Sequence, residues 1–161
     1  MVIIEAATED DVPQIMEIEL EAISPPWTHG ALLSEIYNLD SLFAVARYAD
    51  DTGNRRQGAE IRARENSSVL GFLILRRMAD EGELLQIAID KAARREGVAD
   101  SLMEEALRYA EDNALVSVFL EVRKSNAAAI ALYGKHGFEP VRFRKDYYSS
   151  PVEDAVLMVR K

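Results

Sequence analysis

Two residue types stand where protons could be moved. Glu121 closes an apolar run of Val116, Val118, Phe119 and Leu120 that reads as a buried strand, and Tyr133 sits on the short helix expected after Ser125 and Asn126, ahead of a Gly137-Phe138 turn. A carboxylate at a strand end can take a proton from an amine, and a phenol can return one to a leaving group. Glu83, on the neighbouring strand and two residues before Leu85, is the rival base. Each also has a plainer reading. A glutamate at a strand end is commonly a solvated charge, and a tyrosine before a Gly-Phe pair is commonly core.

A third candidate is the stretch Arg94, Arg95, Glu96, Gly97, Val98, Ala99 and Asp100, between a strand and a long helix. The first N–H groups of a helix have no internal partners, so such an end accepts anions, and Gly97 lets a ligand approach the backbone closely. Neither the three-glycine dinucleotide fingerprint nor the P-loop pattern is present. The alternative is a helix-start glycine flanked by solvated arginines. Trp27, Tyr37, Tyr147 and Tyr148 are candidates for the wall of an acceptor groove, although a buried Trp27 is equally ordinary.

Composition narrows the chemistry. Cysteine is absent, which removes disulfides, thiolate metal sites and an acyl-cysteine intermediate. His29 and His136 have no ligand-like spacing and read as loop or helix-surface residues, so no metal is expected. The 161 residues suit one domain, 1–161, with 48% hydrophobic and 29% charged residues. No apolar run is long enough for a membrane span, and the start lacks a signal-peptide pattern, so a cytoplasmic location is expected. A net charge of −9 argues against nucleic acid and for amines or basic peptides as partners.

These groups need elements to hold them. Val2–Ala6 reads as a strand. Thr8 and Asp11 form a capping-box pattern opening a helix with Val12, Ile15, Met16, Leu20 and Ile23 on one face. "SPPWT" breaks it, and Thr28 caps a second helix through Asn38. Residues 41–48 and 68–77 read as a strand pair and 82–90 as a third strand. The helix that follows is marked by Val98, Leu102, Met103, Ala106, Tyr109 and Ala110. Strand 116–122, a helix from Asn126 to His136, and apolar stretches 138–144 and 154–160 complete the chain. Residues 49–67 are polar, include the interrupted basic cluster "RRQGAEIRAR", and are expected to be a mobile insertion. The pattern predicts an α/β fold, a mixed sheet covered by helices.

"IAIDKAARREGVADSLM" and "LEVRKSNAAAIALYGKHGF" together resemble the GNAT superfamily of acetyl-CoA-dependent N-acetyltransferases. The second stretch, with "PPWT" and "RKDYYSSPVEDAVLM", resembles the RimI-type enzymes, which acetylate the N-terminal alanine of a small-subunit ribosomal protein. The matches run in order over most of the chain apart from 49–67. "KAA" departs from the proline-containing turn of many relatives, and Ala99 replaces the loop's second glycine. The resemblance implies the acyl-CoA N-acyltransferase fold: a central, mostly antiparallel sheet, splayed between the strands before and after the 97–113 helix. It implies acetyl-CoA as donor, a basic peptide or ribosomal-protein terminus as acceptor, Glu121 as general base and Tyr133 as general acid. Ile87, Ala88 and Ile89 then match the strand that pairs with the pantetheine arm, residues 94–100 the pyrophosphate loop, and Asn126 the cofactor-contacting asparagine. The same chemistry on a lysine, polyamine or small amine is the second reading, and a non-catalytic coenzyme A-sensing module the third.

Overall fold

The computed structural model describes residues 1–49 and 68–161. The expected mobile insertion and its basic cluster lie outside the described residues, apart from Ala49, whose N–H donates to the Met1 carbonyl (2.8 Å).

The chain runs β1 (Val2–Ala6), α1 (Val12–Ala22), α2 (His29–Ile36), β2 (Ser41–Tyr48), β3 (Gly71–Met78), β4 (Glu81–Ile89), α3 (Val98–Asp112), β5 (Ser117–Arg123), α4 (Ala127–Lys135), β6 (Glu139–Tyr148) and β7 (Glu153–Arg160). Its strands form one seven-stranded sheet in the order β1-β2-β3-β4-β5-β7-β6. Every neighbouring pair is antiparallel except β4 with β5. Parallel neighbours need a long crossover, and α3 supplies it.

Helix starts follow the sequence cues. The Thr8 N–H donates to the Asp11 carboxylate (2.9 Å), and a 3-10 turn over Glu9–Asp11 leads into α1. Thr28 Oγ1 accepts the Ala31 N–H (3.1 Å) at the start of α2.

The sheet separates two cores. On one face α3 buries Val98, Leu102, Met103, Ala106 and Ala110 against Leu73, Leu75, Leu84, Val118, Leu120 and Val122. On the other, Val12, Ile15 and Ile18 of α1 and Leu32 of α2 meet Phe43, Val45, Phe72, Ile74 and Ala88. Neighbouring β2 residues divide accordingly: Ala44 and Ala46 face α3, Phe43 and Val45 face α1. Each fully buried large aliphatic side chain contributes about 1.5–3 kcal/mol.

Two local readings change. The buried stripe of α1 is Val12, Ile15, Ile18 and Glu19, while Leu20 is 71% exposed. The helix therefore sits rotated from the face its apolar residues suggest. Val116 precedes β5 and is exposed, and Glu121 does not close that strand, which continues to Arg123.

A bulge in β4 positions the site. Leu75 opposes Leu84 and Ile74 opposes Gln86, so Leu85 is the extra residue. It changes which residues face which core: Leu84 belongs to the α3 side, whereas Ala88 belongs to the α1 side. Gln86 is carried inward beneath α1, beside Glu19.

Candidate active site

β4 and β5 pair only at Glu81, Gly82 and Glu83 with Ser117, Val118 and Phe119. Past that point β4 stays with β3 to Ile89, and β5 stays with β7 to Arg123. The two strands thus part, and from Leu84 and Leu120 onward their facing backbone groups are not paired with each other. A cleft of about 490 Å³ opens there. Its walls are β4 from Glu83 to Ile87, β5 from Glu121 to Arg123, the chain reversal at 22–27, and Asn126, Tyr133, Tyr147 and Tyr148.

Glu121 and Tyr133 reach this cleft from opposite faces of the sheet. Leu120 and Val122 belong to the α3-side core, so Glu121, between them, points to the other side. Tyr133 belongs to the α3-side core itself. Only where β4 and β5 have separated can both groups border one space.

Glu121 is mostly buried, at 13% side-chain exposure, with Oε1 3.3 Å from Arg144 Nε. Its Oε2 is buried with no hydrogen-bond partner among the described residues. Burial and then the nearby Glu121 charge push the Glu83 carboxyl above the ordinary carboxylate range, with Arg76 and Arg144 acting the other way. Like charges close together cannot both ionise freely. The neighbouring Glu121 carboxylate, chiefly, raises the Tyr147 phenol above its ordinary value. Tyr148 is pushed up to about 12, by burial first and then by Glu121. The two tyrosine rings meet edge to face at 5.0 Å, and Arg123 lies 4.5 Å over Tyr148.

Tyr133 owes its place to a capped helix. Asn126 Oδ1 accepts the Ala129 N–H (3.1 Å), fixing the start of α4. The Tyr133 ring is 8% exposed and packs on Phe138, centroids 6.0 Å apart. Burial raises its phenol well above the ordinary tyrosine value, so it stays protonated at neutral pH.

The start of α3 follows β4 through a 3-10 turn at Lys91–Ala93. Gly97 adopts the left-handed conformation (φ 79°) as N-cap with no side-chain cap. The amides of the first turn therefore have no intrahelical partner. Arg94, Arg95 and Glu96 are exposed, and the Tyr48 hydroxyl donates to Glu96. Val98 is buried in the core, so only its backbone is available. Asp100 accepts from Lys135 (2.9 Å) and lies 2.8 Å from His136 Nε2, and the two basic partners hold its carboxyl below the usual range. His136 is accordingly no surface residue: its side chain is 11% exposed, pinned between α3 and α4.

Of the strand residues expected to meet a cofactor, Ile87 lines the cleft, Ala88 is buried under α1, and Ile89 packs toward α3. Trp27 both lines the cleft and packs on the α1-side core. Tyr37 is not brought in. It is exposed, and its hydroxyl donates to Glu9.

Sequence reasoning missed Glu19, Gln86 and Arg144. Glu19 is fully buried and accepts the Trp27 N–H (3.0 Å), tying the 22–27 reversal to α1. Burial raises its carboxyl, against hydrogen bonds from Trp27 and Gln86. Nothing in the sequence marked it, because its partner is a backbone group contributed by tertiary structure. Arg144 was legible only as a charge two residues before a tyrosine pair's neighbour Asp146. No cluster of His, Cys, Asp or Glu able to hold a metal occurs among the described residues, and no helix among them is long and apolar enough to cross a membrane.

The profile of the acetyltransferase (GNAT) family matches residues 12–138. The [ribosomal protein bS18]-alanine N-acetyltransferase of Haemophilus ducreyi is 30% identical over 96% of this chain and 97% of its own length. Its Escherichia coli K12 namesake is 31% identical over 92% of this chain and 89% of its own. The crystal structure of the Escherichia coli ribosomal-protein-S18-alanine N-acetyltransferase superposes with a TM-score of 0.81 at 29% identity, covering 99% of this chain and 93% of that one.

Proposed function

This chain belongs to the acetyltransferase (GNAT) family, and on that premise we propose that it acetylates the free α-amine of a protein N-terminus, with the N-terminal alanine of a small-subunit ribosomal protein as acceptor. It is an acetyl-CoA-dependent N-acetyltransferase. The acceptor is carried over from the names of its full-length relatives. A cytoplasmic location goes with that acceptor.

The observation that carries the reading is the parting of β4 and β5, which gives Glu121 and Tyr133 a common space. The residues present fit the donor. The open edge of β4 beyond Glu83 offers backbone groups to an amide-bearing arm, and the uncapped start of α3 offers N–H groups to phosphates. Bound there, acetyl-CoA supplies an activated carbonyl.

The protein's own residues do the rest. An α-amine has an unperturbed pKa of about 8, so much of it arrives protonated. The acidic face made by Glu83 and Glu121 attracts that cation. Glu121 then takes the proton, directly or through a water, which frees the lone pair for attack. Tyr133, kept protonated by burial, donates to the departing thiolate from the opposite side. Asn126 fixes the helix that carries it.

The test uses acetyl-CoA with three peptides: a basic one with a free N-terminal alanine, the same peptide N-blocked, and a blocked one with an extra lysine. Thiol release gives the rate and mass spectrometry locates the acetyl group. Acetylation confined to the free alanine terminus is the expected result. Acetylated lysine in the blocked peptides would overturn the acceptor assignment.

A further inference from the structure

Three arginines border the acidic face, and they differ in what holds them. Arg76 is bound by Glu35, with Nε 3.1 Å from Oε1. Arg123 is bound by Glu153 and by the carbonyls of Pro151 and Ser149. Arg144 has a single carboxylate partner among the described residues, and it is Glu121, at 3.3 Å. Its guanidinium lies 5.4 Å from the Tyr147 ring centroid, and its charge also acts on Glu83. It stands on β6, an edge strand, where regular pairing with β7 lapses between Arg144 and Tyr148. Its side chain is 45% exposed, so water is at hand to receive it. Arg144 is thus the basic group here that can leave its carboxylate and be solvated.

We propose that Arg144 is a charge gate over the acceptor end of the cleft, a positioning residue that acts through Glu121. An acceptor ammonium meets a carboxylate already held by a guanidinium, and exchanges one cation for another. Acetylation converts that ammonium to a neutral amide, whose N–H holds the carboxylate far more weakly than a cation does. Once Glu121 has passed the acquired proton to water, Arg144 returns to the carboxylate and displaces the acetylated terminus. Arg144 therefore competes with the acceptor for Glu121 on entry and speeds release of the neutral product on exit. This rests on the reading that Glu121 faces the acceptor amine.

The experiment measures, by calorimetry with coenzyme A present, the binding of a short basic peptide with N-acetylated alanine. Wild type is compared with Arg144→Met, which keeps length and loses charge, and Arg144→Lys, which keeps charge. A partly exposed ion pair of this kind predicts that Arg144→Met binds the acetylated peptide at least about threefold more tightly, with Arg144→Lys within about twofold of wild type. The KM for the free peptide falls in Arg144→Met while the KM for acetyl-CoA stays. With Glu121→Gln already in place, Arg144→Met changes nothing further. Unchanged or weaker product binding in Arg144→Met would overturn the gate, as would equal tightening in the Glu121→Gln background. Wild-type turnover in Glu121→Gln alone would instead remove Glu121 as base. The binding comparison needs no catalysis and still decides on the gate.

Discussion

Tyr133→Phe separates chemistry from packing at one atom. The ring is 8% exposed and tilted 59° on Phe138, so phenylalanine refills the same space and only the hydroxyl at the cleft is lost. Stability should change by no more than about 1 kcal/mol. In a domain of this size that moves the thermal midpoint by about 2–4 °C. A general acid contributes about 10²–10⁴-fold, so kcat should fall by at least about 100-fold. Tyr133→Ala would be uninformative, because deleting a buried aromatic ring costs about 3–5 kcal/mol. The assay is steady-state thiol release with saturating acetyl-CoA, beside a thermal melt. An acid works while protonated, and burial raises this phenol, so the alkaline limb attributable to Tyr133 lies above the ordinary tyrosine range. A kcat within about threefold of wild type would refute the assignment. So would a loss of activity that merely tracks a large drop in melting temperature.

Glu19 should make stability pH-dependent. Its folded carboxyl is raised, so the folded chain binds more protons than the unfolded one above the ordinary glutamate value, and stability falls as pH rises through that window. Glu19→Gln should flatten this trend and raise the melting temperature at the upper end of a series from about pH 5 to about pH 8; a lower midpoint with the slope intact would contradict it. Gly71→Ala would place a Cβ 2.7 Å from Ile89 Cδ1 and 2.8 Å from the Ala88 carbonyl oxygen. Overpacking of that kind costs about 1–3 kcal/mol, read as a lower urea midpoint with the slope unchanged. Asn126→Ala removes the cap of α4 and should cost about 1 kcal/mol, seen in the same titration.

The sequence was most legible where one period dominated. The stripe on α3 places that helix on the sheet, because its side chains repeat against a single flat partner, whereas β5 read as one apolar run and buries only alternate residues. α1 was misread in phase because it must satisfy two neighbours. It covers the sheet with Ile15 and Ile18, and it turns Glu19 inward to hold the Trp27 backbone. The β4 bulge has no local signature, yet it carries Gln86 to the Glu19 side. Tyr37 and Tyr147 look equivalent as loop aromatics. Only the fold sends one to Glu9 and the other to Glu121. The outer position of β6, which brings Arg144 to Glu121, depends on β7 inserting beside β5, a choice of strand order that periodicity does not encode.

The central claim is that Glu121, at the gap between β4 and β5, takes the proton from the acceptor. Glu121→Gln keeps the shape and removes the basicity. Measured with a free-alanine basic peptide, its kcat should fall by about 100-fold or more while acetyl-CoA binding stays within about twofold of wild type. Wild-type kcat in this variant would contradict the account and point to Glu83.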